Sequence, residues 1–254
     1  MDEDHILQVE AKDGYELVTL NRPERLNALN QPLADALLAY FESKRRDGAC
    51  RVILIRGAGR GFCSGADLKA GGQPDRLRDG PNGDWVLRDM MKAMRACPQP
   101  IIALVHGAAA GGGLAIALAS DVIVAAESAA FHPAFIKIGL SASELGVSWR
   151  LQRTIGISAA REMLLTGRPM NATTALRTGL VSQVVADDAL LDAALAMADE
   201  MLRAAPDALR ISKHSLDSAL EIGDFATALE FEERGQITMI RQGAAARATQ
   251  RADP

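Results

Sequence analysis

The residues of this chain that could do chemistry gather at two glycine-rich turns. One is Gly61–Leu68, GFCSGADL; the other is Ala110–Leu114, AGGGL. Each follows an apolar run, RVILIR at 51–56 and IIALVH at 101–106, that reads as a buried strand. The second turn passes into an Ala- and Leu-rich run that reads as a buried helix beginning near Gly111-Gly112-Gly113. Glycines at a strand-to-helix turn let another group approach the backbone closely. The first N–H groups of a helix have no partner inside it and carry partial positive charge. One N–H from each turn, converging on one carbonyl oxygen, would make an oxyanion hole, in which each donor typically supplies about 3–4 kcal/mol of transition-state stabilisation. Tight strand–helix packing accounts for the same glycines, and on this stretch alone both readings stand.

Other chemistries fit less well. Gly57-Ala58-Gly59 follows a strand as a dinucleotide fingerprint would, but Phe62 stands where the third glycine belongs. The histidines His5, His106, His132 and His214 show no metal spacing, and His106, at a strand end, reads as a satisfied core residue. No G-x-S-x-G elbow occurs. Cys50, Cys63 and Cys97 are an odd set without metal spacing, which suggests a reducing compartment. A net charge of -4 gives no basic footprint for nucleic acid. The one basic candidate helix mixes Arg203, Arg210, Lys213 and His214 with Asp207. The acidic start, MDEDHILQVE, is unlike a signal peptide, and no apolar run approaches the ~18 residues of a membrane span. A cytoplasmic protein without membrane partners is expected.

The elements that must position the two turns follow from periodicity. Strands are expected at 15–20, 51–56, 101–106, 122–125, 130–131 and 180–185. Helices are expected at 31–44, 85–96, 146–156, 158–165 and 171–178, and then at 187–204, 206–221 and 224–242. The 70–84 stretch is Gly-, Pro- and Asp-rich. Strands alternate with helices first and helices dominate last, the pattern of an α/β core with a helical C-terminal module. No internal repeat is legible.

NRPERLNALN, GRGFCSGADLK, GAAAGGGLAIALASD and LTGRPMNATTALRTGLVSQVV, in that order and spacing, resemble the enoyl-CoA hydratase/isomerase (crotonase) family. The resemblance implies a spiral of β-β-α turns over residues 1–186 and an oligomerisation module over 187–254 that builds homotrimers, often paired into hexamers. It implies an acyl-CoA thioester as substrate, with coenzyme A part of that substrate and no separate cofactor or metal. The backbone N–H groups of Ala66 and Gly112 would form the oxyanion hole, and Arg25, Ala66, Asp67 and Lys69 would lie along the CoA moiety. Arg25 also reads as a plain surface charge, and Asp67 as a helix N-cap.

The chain departs from the family where hydratases carry paired glutamates: those positions are Ala115 and Phe135. Adding water to a double bond needs a base for the water and an acid for the carbon. Neither side chain can serve. Glu144 aligns approximately with the acid that dienoyl-CoA isomerases carry on this loop, and one carboxylate suffices to move a double bond. Phe131, Phe135, Leu145 and Trp149 would desolvate it. Its other reading is structural: Ser141-Ala142-Ser143-Glu144 has the S-x-x-E spacing of a capping box. His132 is a weaker acid–base candidate. Double-bond isomerisation leads. Behind it stand hydration by an atypical site, other enolate chemistry, and a non-catalytic acyl-CoA-binding protein.

Overall fold

Runs without polar alternation need cover on both faces, and the fold supplies it. A computed structural model describes residues 6–68, 86–241 and 243; residues 1–5, Lys69, the 70–84 segment, Trp85 and most of the tail lie outside the described residues. The strands are β1 (Leu7–Ala11), β2 (Tyr15–Leu20), β3 (Val52–Gly57), β4 (Ile101–Val105), β5 (Ala108–Ala110), β6 (Val122–Ala126), β7 (Ala130–His132), β8 (Met170–Asn171) and β9 (Gln183–Val185). The helices are α1 (Gln31–Ser43), α2 (Val86–Ala96), α3 (Gly112–Ala119), α4 (Val147–Ile155), α5 (Ile157–Thr166), α6 (Ala172–Thr178), α7 (Leu190–Arg203), α8 (Pro206–Ala219) and α9 (Phe225–Arg241).

One sheet runs β1-β2-β3-β4-β6-β9, parallel except where β1 pairs antiparallel with β2. Side chains alternate across it. Ile53, Ile55, Ile101, Ala103, Val105 and Ile123 face the larger core with α1, α2 and α3. Leu17, Val52, Leu54, Ile102, Leu104 and Val124 face the other way, where Leu190, Ala194 and Ala198 of α7 cover them. Leu191, Leu195, Met197, Met201 and Leu202 pack against that same layer, so α7 spends its apolar face on its own sheet.

A second sheet, β5-β7-β8, pairs β5 with β7 in parallel and β7 with β8 antiparallel. The chain thus runs β4-β5-α3 and then β6-β7-α4, one strand to each sheet and a helix, twice over. This is a β-β-α repeat of path without a repeat of residues. Strand β5 fills the stretch between the strand expected at 101–106 and the glycine turn, where no strand was expected. Strands β1 and β8 were not expected either: β1 is largely exposed and β8 is short, so neither carries an apolar signal.

The first turn of the chain is tied to the first glycine-rich loop by Asn27. This residue is fully buried with φ of +55°, a left-handed conformation that asparagine tolerates better than most. Its Oδ1 accepts from Arg22 N at 2.9 Å, and its Nδ2 donates towards the carbonyls of Ala58, Gly61 and Phe62 at 2.9, 2.9 and 3.1 Å. Truncation leaves buried partners unpaired at roughly 1–3 kcal/mol each. Asn27→Ala should therefore cost about 3 kcal/mol or more of unfolding free energy, read as a lower urea midpoint at unchanged slope. A loss under about 1 kcal/mol would show that the loop does not depend on the tie.

Candidate active site

The two glycine-rich turns meet backbone to backbone. The segment 63–67 runs between two neighbours, bridging Ala109 through Cys63 and Leu29 through Ala66. Cys63 N donates to Ala108 O at 3.0 Å, and Ala110 N donates to Cys63 O at 2.9 Å. Leu29 N donates to Gly65 O at 2.7 Å, and Asp67 N donates to Leu29 O at 2.9 Å. Because the peptide groups on either side, Gly65 O and Asp67 N, both turn to Leu29, the Ala66 N–H between them points away from it. It donates to nothing among the described residues.

Gly112 is the first residue of α3, and Gly111 precedes it with φ of +50° and no side chain to cap the helix. The first intrahelical bond is Ala115 N to Gly111 O at 3.0 Å, so Gly112 N–H also lacks an acceptor among the described residues. Every residue of α3 is buried, so water cannot fully serve its first turn. Gly111 N donates to His132 O at 3.0 Å, which fixes the helix start on β7. The His132 ring is half-buried and its pKa is pushed down, chiefly by burial and then by Lys137. His106 is satisfied at the strand end by Gly59 O, 2.8 Å from Nε2.

A Cβ built on Gly65 would stand 2.7 Å from Ala110 O and 3.2 Å from Gly112 N; one on Gly113 would stand 2.2 Å from Cys63 O. Packing and donor presentation are therefore the same feature, and the two readings of these glycines merge. A pocket of about 140 Å³ opens between the turns, lined by Gly65, Ala66, Gly111, Gly112, Phe135 and Glu144 among others. Glu144 is the one ionisable side chain on its wall among the described residues.

Glu144 is half-buried and carried by a tight turn: Leu145 and Gly146 both have left-handed φ, +51° and +78°. Two such residues in succession cannot belong to a helix. The helix α4 therefore starts at Val147, capped by no side chain, and Glu144 contributes its carbonyl to Val147 N at 2.9 Å. The capping box read from Ser141 and Glu144 is corrected: Ser141 Oγ accepts from Ser143 N at 3.1 Å, outside any helix. Of the expected apolar neighbours, Phe135 and Leu145 line the pocket with Glu144. Trp149 and Leu145 line an adjoining cleft that also reaches Glu144, while Phe131 is sealed in the core and lines neither. Ala115 lies on the adjoining cleft, and Phe135 lies in the pocket, its ring 3.8 Å from where a Gly111 Cβ would stand.

The expected CoA contacts divide. Arg25 has an exposed side chain at the end of a short 3-10 turn, and its carbonyl accepts from Ser64 Oγ at 3.4 Å, beside the pocket wall. Asp67 is turned inward, its carboxylate 2.9 Å from Arg22 Nη2 with both side chains at least nine-tenths buried. The helix that Asp67 would cap, like Lys69, falls outside the described residues. Arg22, which the sequence reading passed over for Arg25, also donates to Ala28 O and so locks the loop. Pro23 after it, which disfavours helix at residue 22, is the one sequence sign of that role. Lys213, one of the cations of the basic candidate helix, is buried on Asp121 at 2.9 Å and Gln99 O at 2.8 Å.

Gly65→Ala should remove about 2 kcal/mol or more of stability, because its φ of +88° and its Ala110 O contact both exclude a side chain. A denaturant midpoint within error of the parent would contradict the backbone contact described.

A family model described as enoyl-CoA hydratase/isomerase matches residues 10–250. A probable enoyl-CoA hydratase, EchA12 of Mycobacterium tuberculosis, is 40% identical over 247 residues, covering 92% of this chain and 87% of that protein. A solved probable enoyl-CoA hydratase/isomerase from Mycobacterium abscessus superposes with a TM-score of 0.85 at 35% identity, over 96% of each chain. A monofunctional enoyl-CoA isomerase from M. smegmatis superposes at 0.76 with 40% identity, over 88% of this chain and 98% of that one.

Proposed function

The chain belongs to the enoyl-CoA hydratase/isomerase family, and on that premise we propose that it moves the double bond of an enoyl-CoA, with Glu144 as the proton shuttle. One observation carries this reading. Among the described residues Glu144 is the only ionisable group lining the pocket that Ala66 and Gly112 also line. The thioester oxygen accepts from Ala66 N–H and Gly112 N–H. The Glu144 carboxylate takes a proton from C2 of a 3-enoyl thioester. The electron pair of the broken C2–H bond moves into the C1–C2 bond and puts negative charge on the thioester oxygen, where the donors stabilise it, with the C3–C4 double bond conjugated to the enolate. The carboxylic acid then returns the proton to C4, and the double bond rests between C2 and C3. No atom is gained or lost, so a single acid–base group closes the cycle.

Hydration asks for a second group to hold water. Ala115 and Phe135 offer a methyl group and a ring, which disfavours that path. The solved isomerase from M. smegmatis, at 40% identity, is similar throughout its length. Many relatives bear hydratase names, and hydration remains the reaction against which the proposal is tested. No helix among the described residues is long and apolar enough to cross a membrane.

Conjugation raises ultraviolet absorbance and hydration lowers it, so one assay separates them. The wild type should conjugate a 3-enoyl-CoA and hydrate a 2-enoyl-CoA poorly. Glu144→Gln keeps the shape but cannot act as a base, so isomerisation should fall about 10²–10⁴-fold with the melting temperature nearly unchanged. Activity intact in that variant, or robust hydration by the wild type, would sink the assignment.

We also propose the homotrimer, alone or paired as a hexamer, from the apolar residues left over. Leu216, Leu220, Phe225, Leu229, Ile237 and Ile240 on and between α8 and α9 are 41–81% exposed, more than a lone domain normally leaves open. Light scattering at micromolar concentration should give three or six times the chain mass; a monomer would overturn it.

A further inference from the structure

The pocket at the two glycine turns is small, but it does not end at Glu144. Glu144 and Leu145 also line a cleft of about 780 Å³ bounded by α2, α3, α4 and α8. Its near wall is apolar: Met91, Ala115, Leu118 and Trp149. A hydrocarbon chain leaving the thioester pocket past Glu144 enters this cleft and meets surface suited to methylenes.

The far wall is charged, and its cations are not equivalent. Arg88 and Lys92 pair with Asp89 at 3.2 and 3.0 Å. Arg95 pairs with Asp121 at 2.9 Å and with Asp217. Arg150, on the turn of α4 after Trp149, has no hydrogen bond or ion pair for its guanidinium among the described residues, although it lines the cleft. Burial and the neighbouring Arg95 both disfavour its charge, against partial relief from Asp217 and Asp121. Arginine does not escape such a position by losing its proton. An incoming anion would relieve it, and a planar fork of donors suits a carboxylate best.

We propose, resting on the isomerase reading, that this enzyme prefers acyl chains ending in a carboxylate remote from the thioester, and that Arg150 is the residue that selects them. The anion is assigned to the acyl end and not to CoA because Arg25 and Ser64, on the side where CoA is expected, do not line the cleft. A neutral chain end in the same place would leave Arg150 half-buried with only the partial relief of Asp217 and Asp121. The discrimination therefore comes from both sides, attraction of one substrate and a standing penalty against the other.

The test compares 3-enoyl-CoA thioesters of equal chain length ending in methyl or in carboxylate. Wild-type kcat/KM should favour the carboxylate by at least about tenfold, the span of one charged hydrogen bond. Arg150→Met should abolish that ratio and Arg150→Lys should retain part of it. A wild-type ratio near one or favouring methyl overturns the proposal. So does an equal loss on both substrates in Arg150→Met, which would mark a contact to CoA or a damaged fold. Calorimetry with the two saturated acyl-CoAs supplies a readout without turnover. If wild type isomerises neither substrate yet binds the carboxylate-ended thioester tenfold better, and Arg150→Met does not, the isomerase reading fails and the anion site stands.

Discussion

The double bridge of residues 63–67, to the alanine strand through Cys63 and to Leu29 around Ala66, is the constraint on which the site rests. Gly65 O and Asp67 N are taken by Leu29, and both backbone groups of Cys63 by the strand of alanines at 108–110. What is left over, Ala66 N–H, is left over by geometry. The neighbouring helix then starts at a glycine that cannot cap it, which leaves Gly112 N–H in the same condition. Burial turns these omissions into binding capacity, since a desolvated donor without a partner gains most from meeting an acceptor. Asn27 and the Arg22–Asp67 pair keep the strip from sliding.

Much of this was legible in the sequence. The strand-glycine-helix spelling at 101–119, the β-rich stretch at 15–20 and the apolar run at 51–56 each became the element expected, because burial on both faces writes itself as concentrated hydrophobicity. Strands β1, β5 and β8 were not legible. They are exposed, made of alanine, or two residues long, and their pairing is decided by neighbours in space. At the site, the donors could be suspected from glycine spacing alone, whereas their assignment to Ala66 and Gly112 needed the family resemblance.

The loop before α4 shows where spacing misleads. The interval from Ser141 to Glu144 has the form of a capping box, but Leu145 and Gly146 turn the chain left-handed and delay the helix. A backbone choice that no side-chain pattern announces thus directs Glu144 towards the pocket wall. Arg150 was hidden for a similar reason: nothing in a sequence says which of several arginines will find no partner among the described residues. Arg88, Arg95 and Arg150 look alike in composition, and only their neighbours distinguish them.

The helix α3 carries no polar side chain at all, and its hydrogen-bonding end is pure main chain. Main-chain donors do not change identity when a codon changes. On the proposed reaction, the donors that would steady negative charge are thereby insulated from most single substitutions, while Glu144, the proposed base, and Ala115 and Phe135, which offer no second one, are ordinary side chains on the margin. Such a division makes the reaction type cheap to rewrite and the means of holding an oxyanion hard to lose. Swapping a reaction in this scaffold is a problem of furnishing the walls, with the floor already laid.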